Sequence, residues 1–94
     1  MTNSVDTVSI IVPFYNEEGN VLPLVARVNE ALANFNHSWE LVLVDDGSSD
    51  QTLRRLHEAA KQYGSHIHIV ELQRNFGQTA AMQAGIDQSR GSLL

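Results

Sequence analysis

Leu41-Val42-Leu43-Val44 runs directly into Asp45-Asp46-Gly47, and that junction limits what the chain can become more than any other stretch. An apolar run without polar alternation belongs to a strand buried on both faces, as in parallel sheets. Two carboxylates at its end stand where open α/β sheets bind ligands, beyond the carboxyl ends of the strands. Turn and cap chemistry explains part of the motif, because Asp45 can start a turn and Ser49 or Asp50 can cap a helix. One aspartate would satisfy that need. The second makes a ligand site the stronger reading.

The rest of the chain alternates in the same manner. Val8-Ser9-Ile10-Ile11-Val12-Pro13 predicts a first strand closed by proline. Asn20 is the expected N-cap of a helix carrying Val21, Leu24 or Val25, Val28, Leu32 and Phe35 on one face and ending near Asn36. Residues 39–44 form the second expected strand. Leu53, Leu56, Ala60 and Tyr63 mark a second helix, with Gly64 as its C-cap. A third strand is expected at residues 67–72 and a third helix over about 79–89, where Ala80, Ala81 and Ala84 permit close packing on a sheet. Gly91 is expected to end that helix, and Ser92-Leu93-Leu94 to open a fourth strand. Three strand–helix units predict an α/β fold: a parallel sheet with right-handed crossovers and helices on both faces. A chain that stops at the start of a strand reads as truncated there, with an exposed sheet edge open to self-association.

Ninety-four residues make one domain, and 43 % apolar with 18 % charged residues is the balance of a globular chain. The net charge of −5 with no lysine or arginine cluster excludes a nucleic-acid footprint. The absence of cysteine excludes disulfide scaffolds and thiolate metal sites. The polar first seven residues are no signal peptide, and no apolar run approaches the ~20 residues that span a bilayer. This stretch reads as soluble.

Three loops should meet at the carboxyl ends of the strands: residues 13–19, 45–50 and 73–78. They bring Tyr15, Asn16, Glu17, Asp45, Asp46, Arg74, Asn75 and Gln78. None carries the glycine pattern of a dinucleotide fingerprint or a P-loop. Paired acids suit the N–H and O–H donors of a base and ribose. Bound phosphates would need a divalent cation between them and the acids, and no second acidic cluster is present to hold one. A phosphoacceptor receiver domain also pairs acids after a strand, but it requires a third acid where this chain has Gln73 and a lysine after a fifth strand. His66 and His68 have a spacing compatible with a metal, yet lack a carboxylate in register. They, His37 and His57 read as structural. No Ser–His–Asp arrangement is legible, and Ser48 and Ser49 read as turn and cap residues.

Residues 12–18, residues 42–48 with Asp50 and Thr52, and Arg74-Asn75-Phe76-Gly77-Gln78 with Ala81, Ala84, Gly85 and Asp87 together resemble family 2 glycosyltransferases. The similarity is strongest to the dolichyl-phosphate mannose synthase-like branch, which moves sugars from nucleotide diphosphates to polyprenyl phosphates. The resemblance covers residues 8–94. It implies that residues 1–94 are the N-terminal, nucleotide-binding part of a GT-A fold, a Rossmann-like sheet. It further implies that Pro13, Tyr15, Asn16 and Glu17 line the nucleoside pocket and that Asp45 accepts hydrogen bonds from the base. Asp46 would lie close to the ribose or orient the loop, and Arg74 and Gln78 would shape the nucleotide site. The family's Asp-x-Asp metal motif and catalytic base lie beyond the fourth strand, so neither catalytic nor metal-ligating residues are expected here. The implied Mg2+ or Mn2+ would take ligands mostly downstream of Leu94. The implied parent enzyme uses a UDP- or GDP-linked sugar donor and a polyprenyl phosphate acceptor. It would work at the cytoplasmic face of a membrane reached through C-terminal elements, in the cell envelope, and the present stretch alone would be inactive. The other reading is a stand-alone, non-catalytic nucleotide- or sugar-binding module.

Overall fold

The computed structural model describes residues 7–90 and the backbone of residues 92–93. Strand β1 (Val8–Phe14) leads through a 3-10 turn at Glu18–Asn20 into helix α1 (Val21–Ala31). Strand β2 (Trp39–Asp46), helix α2 (Thr52–Tyr63), strand β3 (Ile67–Leu72), helix α3 (Gln78–Gln88) and strand β4 (Ser92–Leu93) follow. All four strands are parallel, in the order β3-β2-β1-β4. This is the expected α/β arrangement. Gly91 and Leu94, expected at the end of the third helix and in the fourth strand, lie outside the described residues, as do residues 1–6.

The alternation of side chains along β2 divides the core in two. Leu41 and Leu43 face one side and pack with Val21 and Val25 of α1 and Leu56 and Ala59 of α2. Val42 and Val44 face the other and pack with Ala81 of α3. The unbroken apolar run is thus buried from both sides, as a central parallel strand requires. On the second face α3 lies very close: a Cβ on Gly85 would overlap Ile11 and press on Val44. The small residues of α3 are there to admit that approach.

Three boundaries differ from expectation. Helix α1 stops at Ala31 rather than near Asn36, because after the Leu32 amide bonds to Val28 the amides of Ala33 and Phe35 turn to the nearer carbonyls of Glu30 and Leu32. Pro13 lies inside β1 rather than closing it, and β4 reaches only Val8 and Ser9, so the proline stands beyond that ladder. Strand β2 runs two residues further than expected and includes both aspartates, with Asp45 in register with Phe14 and Glu71. That last difference reshapes the site.

At the opposite end of the sheet a buried glutamate holds the second face together. Glu40 accepts hydrogen bonds from Ser9 Oγ at 2.5 Å and from the Arg90 amide at 2.6 Å, and its Oε1 lies 3.3 Å from His68 Nε2. The sequence signal was a single acid inside an otherwise apolar strand. His66 goes elsewhere: its Nε2 lies 2.9 Å from Asn29 Oδ1, and its ring meets Trp39 edge-on. Burial, and secondarily the charge of His68, holds the His66 imidazole below its ordinary value of 6.5. The neutral ring is therefore the form that stabilises the fold. Its contribution is complete above pH ~6.5 and is lost as pH falls through the lower folded value. Comparing unfolding free energies of the protein and of His66→Phe, the difference should shrink between pH 7 and pH 5. A difference that grows on acidification would contradict this assignment.

Candidate functional site

A cavity of about 250 Å3 opens at the carboxyl ends of β1 and β2, where the α1 and α3 connections diverge to opposite faces. Pro13, Phe14, Tyr15, Glu17, Asp46, Asn75, Gly77 and Gln78 line it. Of the residues singled out in the sequence, Pro13, Tyr15, Glu17, Asp46 and Gln78 are brought together in this wall. Asn16, Asp45 and Arg74 are not part of it. Asn75, expected among the loop residues but given no role in the nucleotide site, also lines it; Phe14 and Gly77 are additions, and a polar loop ending in glycine just before a helix was the available signal for Gly77.

The two aspartates, expected to face a ligand together, stand on opposite sides of the sheet. Both belong to β2, so consecutive side chains point to opposite faces. Asp45 shares the α1–α2 face with its register partner Phe14, and its Oδ1 accepts the Ser48 amide at 3.3 Å, closing the turn. Asp46, only 2 % exposed, points toward the α3 side. Its Oδ1 accepts the Phe76 amide at 2.8 Å, and its Oδ2 accepts the Gly77 amide at 3.1 Å and Asn75 Nδ2 at 2.9 Å. Gly77 is the N-cap residue of α3 and makes no side-chain cap of its own. A carboxylate delivered from β2 caps that helix instead, at the end where its dipole favours negative charge. Asp46 therefore fixes the third loop against the second. Gly77 has φ 101 and ψ 159, a region open essentially to glycine alone.

Gly47 completes the same junction. Its φ is +72, and a Cβ there would collide with the backbone of Arg74 and Asn75. The second and third loops touch main chain to main chain. Arg74 itself is exposed and lays its guanidinium 4.6 Å from the centroid of the Phe76 ring, which is 50 % exposed.

The first and second loops are joined by reciprocal hydrogen bonds. The amides of Asn16, Glu17 and Glu18 donate in turn to Ser48 Oγ (2.9 Å), Thr52 Oγ1 (2.9 Å) and Asp50 Oδ2 (3.3 Å). In the other direction the Ser49 amide donates to Asn16 Oδ1 at 2.8 Å and the Gln51 amide to Glu18 Oε1 at 3.2 Å. Asn16 takes a left-handed backbone, φ 51, to reach this position. Its side chain is occupied by that junction. Asp50 Oδ1 accepts both the Thr52 amide and the Thr52 hydroxyl, so the expected cap of the second helix comes from Asp50. The Thr52 hydroxyl is the chief cause that holds the Asp50 carboxyl below the usual value.

Among the described residues the charged groups in the cavity wall are Glu17 and Asp46. Such a wall favours neutral ligand parts rich in N–H and O–H donors and repels phosphate. Among the described residues no group of three or more His, Asp or Glu side chains could hold a metal ion, and the Asp46 oxygens are already bonded to three donors. The residues present do not fit a divalent cation. No described helix is long and apolar enough to cross a membrane.

A family profile, Glycosyl transferase family 2, matches residues 9–94. Dodecaprenyl-phosphate galacturonate synthase of Rhizobium johnstonii is 57 % identical over 86 residues, covering 92 % of this chain and 25 % of that protein. Undecaprenyl-phosphate 4-deoxy-4-formamido-L-arabinose transferase of Pseudomonas aeruginosa is 44 % identical over 90 residues, covering 96 % and 26 %. The chain thus spans about a quarter of the length of these curated relatives. Among solved structures, S. aureus TarS 1-349 in complex with UDP-GlcNAc superposes with a TM-score of 0.73 at 28 % identity, over 94 % of this chain and 25 % of that one. The mannosyltransferase PcManGT from Pyrobaculum calidifontis, in complex with GDP-Man and Mn2+, gives 0.70 at 23 % identity over 94 % and 26 %, a likeness of fold alone.

Proposed function

Because the chain belongs to glycosyl transferase family 2, we propose that it is the nucleoside-binding part of an enzyme that transfers a sugar from a UDP- or GDP-linked donor to a polyprenyl phosphate. The observation that carries this reading is the cavity at the carboxyl ends of β1 and β2, with Tyr15, Glu17, Asp46 and Gln78 in one wall. Tyr15, 45 % exposed, offers a ring for a base to pack on. Glu17 and Asp46 offer acceptors. A carboxylate has about four lone-pair positions, and three of those on Asp46 are occupied, so roughly one donor more can be taken there. The cavity is smaller than the ~300–1,000 Å3 of whole small-molecule sites, which suits a nucleoside rather than a complete nucleotide sugar. Arg74 stands outside the wall as the one cation of the three loops, and to it falls the role of shaping the nucleotide site on the diphosphate side.

The acceptor class follows from the two relatives, whose names give dodecaprenyl and undecaprenyl phosphate. The divalent cation implied by the family would be held by residues other than those described, and the membrane would be reached through other segments. Residues 1–94 alone are therefore proposed to be inactive. In calorimetry the complete protein should bind UDP or GDP, and it should glycosylate undecaprenyl phosphate with a matching donor. The 94-residue chain should form no product. Failure of the complete protein to bind either nucleotide would overturn the reading.

A further inference from the structure

We propose that Thr52 is a positioning residue for the donor site, acting on Glu17 through the backbone; the proposal deepens the function proposed above and rests on it. Thr52 opens α2 and is fully buried, although it is polar and lies at a loop junction. Its single hydroxyl makes two bonds of opposite sense. It accepts the Glu17 amide at 2.9 Å and donates to Asp50 Oδ1 at 2.5 Å. Asp50 carries the link onward, because its Oδ2 accepts the next amide, that of Glu18. A hydroxyl is the smallest group that accepts and donates at once. Glu17 and Tyr15 line the cavity, whereas Thr52 does not. The Glu17 carboxylate is in turn placed over its own loop, its Oε1 lying 3.4 Å from the Tyr15 amide.

Thr52 thus fixes, from the far side, the height of the wall residues above the sheet. Three consecutive loop amides, those of Asn16, Glu17 and Glu18, are held by side chains 32 to 35 residues away. Of the three acceptors only Thr52 is fully buried. Water can replace a partner at the exposed bonds, but less readily at Glu17.

Thr52→Val preserves shape and removes both bonds, and Thr52→Ser keeps them. In the complete protein, with UDP and GDP as probes, Thr52→Val should weaken binding about ten-fold, while Thr52→Ser should stay within about two-fold, consistent with losing or keeping the bond that holds the Glu17 amide. In parallel, hydrogen exchange of the peptide covering residues 14–20 should accelerate in Thr52→Val, with the β2 core unchanged. Should Thr52→Val not fold, Thr52→Ala removes the same two bonds without setting a methyl group against the bared polar atoms and is read by the same two measurements. Wild-type affinity in folded Thr52→Val, or equal losses in Val and Ser, would overturn the proposal. If the unaltered protein binds neither nucleotide, the proposed function fails, and unchanged exchange at residues 14–20 still separately refutes the hold on Glu17.

Discussion

Asp46→Ala is expected to destabilise the protein by about 3 kcal/mol, at roughly 1 kcal/mol for each of three lost hydrogen bonds, because it strands the Phe76 and Gly77 amides and leaves Asn75 Nδ2 only its 3.2 Å bond to the Asp46 carbonyl. Two of those donors, the Phe76 and Gly77 amides, stand at the start of α3 and have no substitute cap. Asp46→Asn should cost less, since its one amide oxygen can still accept the Gly77 amide and Asn75 Nδ2 while its NH2 opposes only the Phe76 amide. Asp45→Ala removes one long bond to the Ser48 amide and should cost nearer ~1 kcal/mol. Urea unfolding of the three variants measures this directly. If Asp45→Ala were the more damaging, the helix-capping role given to Asp46 would be untenable. Nucleotide affinity should fall with Asp46→Ala as well, because Asn75, Gly77 and Gln78 lose the group that holds their loop in the cavity wall.

Gly47→Ala should be of similar or greater effect, on the order of 3 kcal/mol or more, by a different route. An alanine at φ +72 stores about 1 kcal/mol of backbone strain. The larger part comes from its Cβ, which cannot coexist with the main chain of Arg74 and Asn75. Backbone, unlike the end of a flexible side chain, cannot move aside without carrying the third loop with it. The variant should therefore lose nucleotide binding even at temperatures where its circular dichroism is native. A stability within about 1 kcal/mol of the unaltered protein, together with intact binding, would show that the loops tolerate separation.

Much of this protein was legible in its sequence, for a physical reason. Helix and strand periods are local, so residues 67–72 and the Leu56 and Gly64 positions of α2 emerged as expected. The ends of elements were less legible. The stripe through Leu32 and Phe35 continued the helical period, yet the helix stopped at Ala31. Aspartate has low intrinsic preference for strands, and ladder bonds to β1 and β3 nevertheless carried β2 through both acids. That extension by two residues placed Asp45 and Asp46 on opposite faces.

A parallel α/β sheet, the strand ends at which three polar loops meet, and the residue types available there all follow from residue order. What each of those residues does depends on the folded arrangement. The partners of Asp46 lie 29 to 31 residues away, and those of Asn16, Glu17 and Glu18 lie 32 to 35 away. No local pattern encodes which amide a carboxylate or hydroxyl will meet across such distances. That choice follows from strand order and register, which bring unpaired loop amides beside acceptors and leave burial to enforce the match.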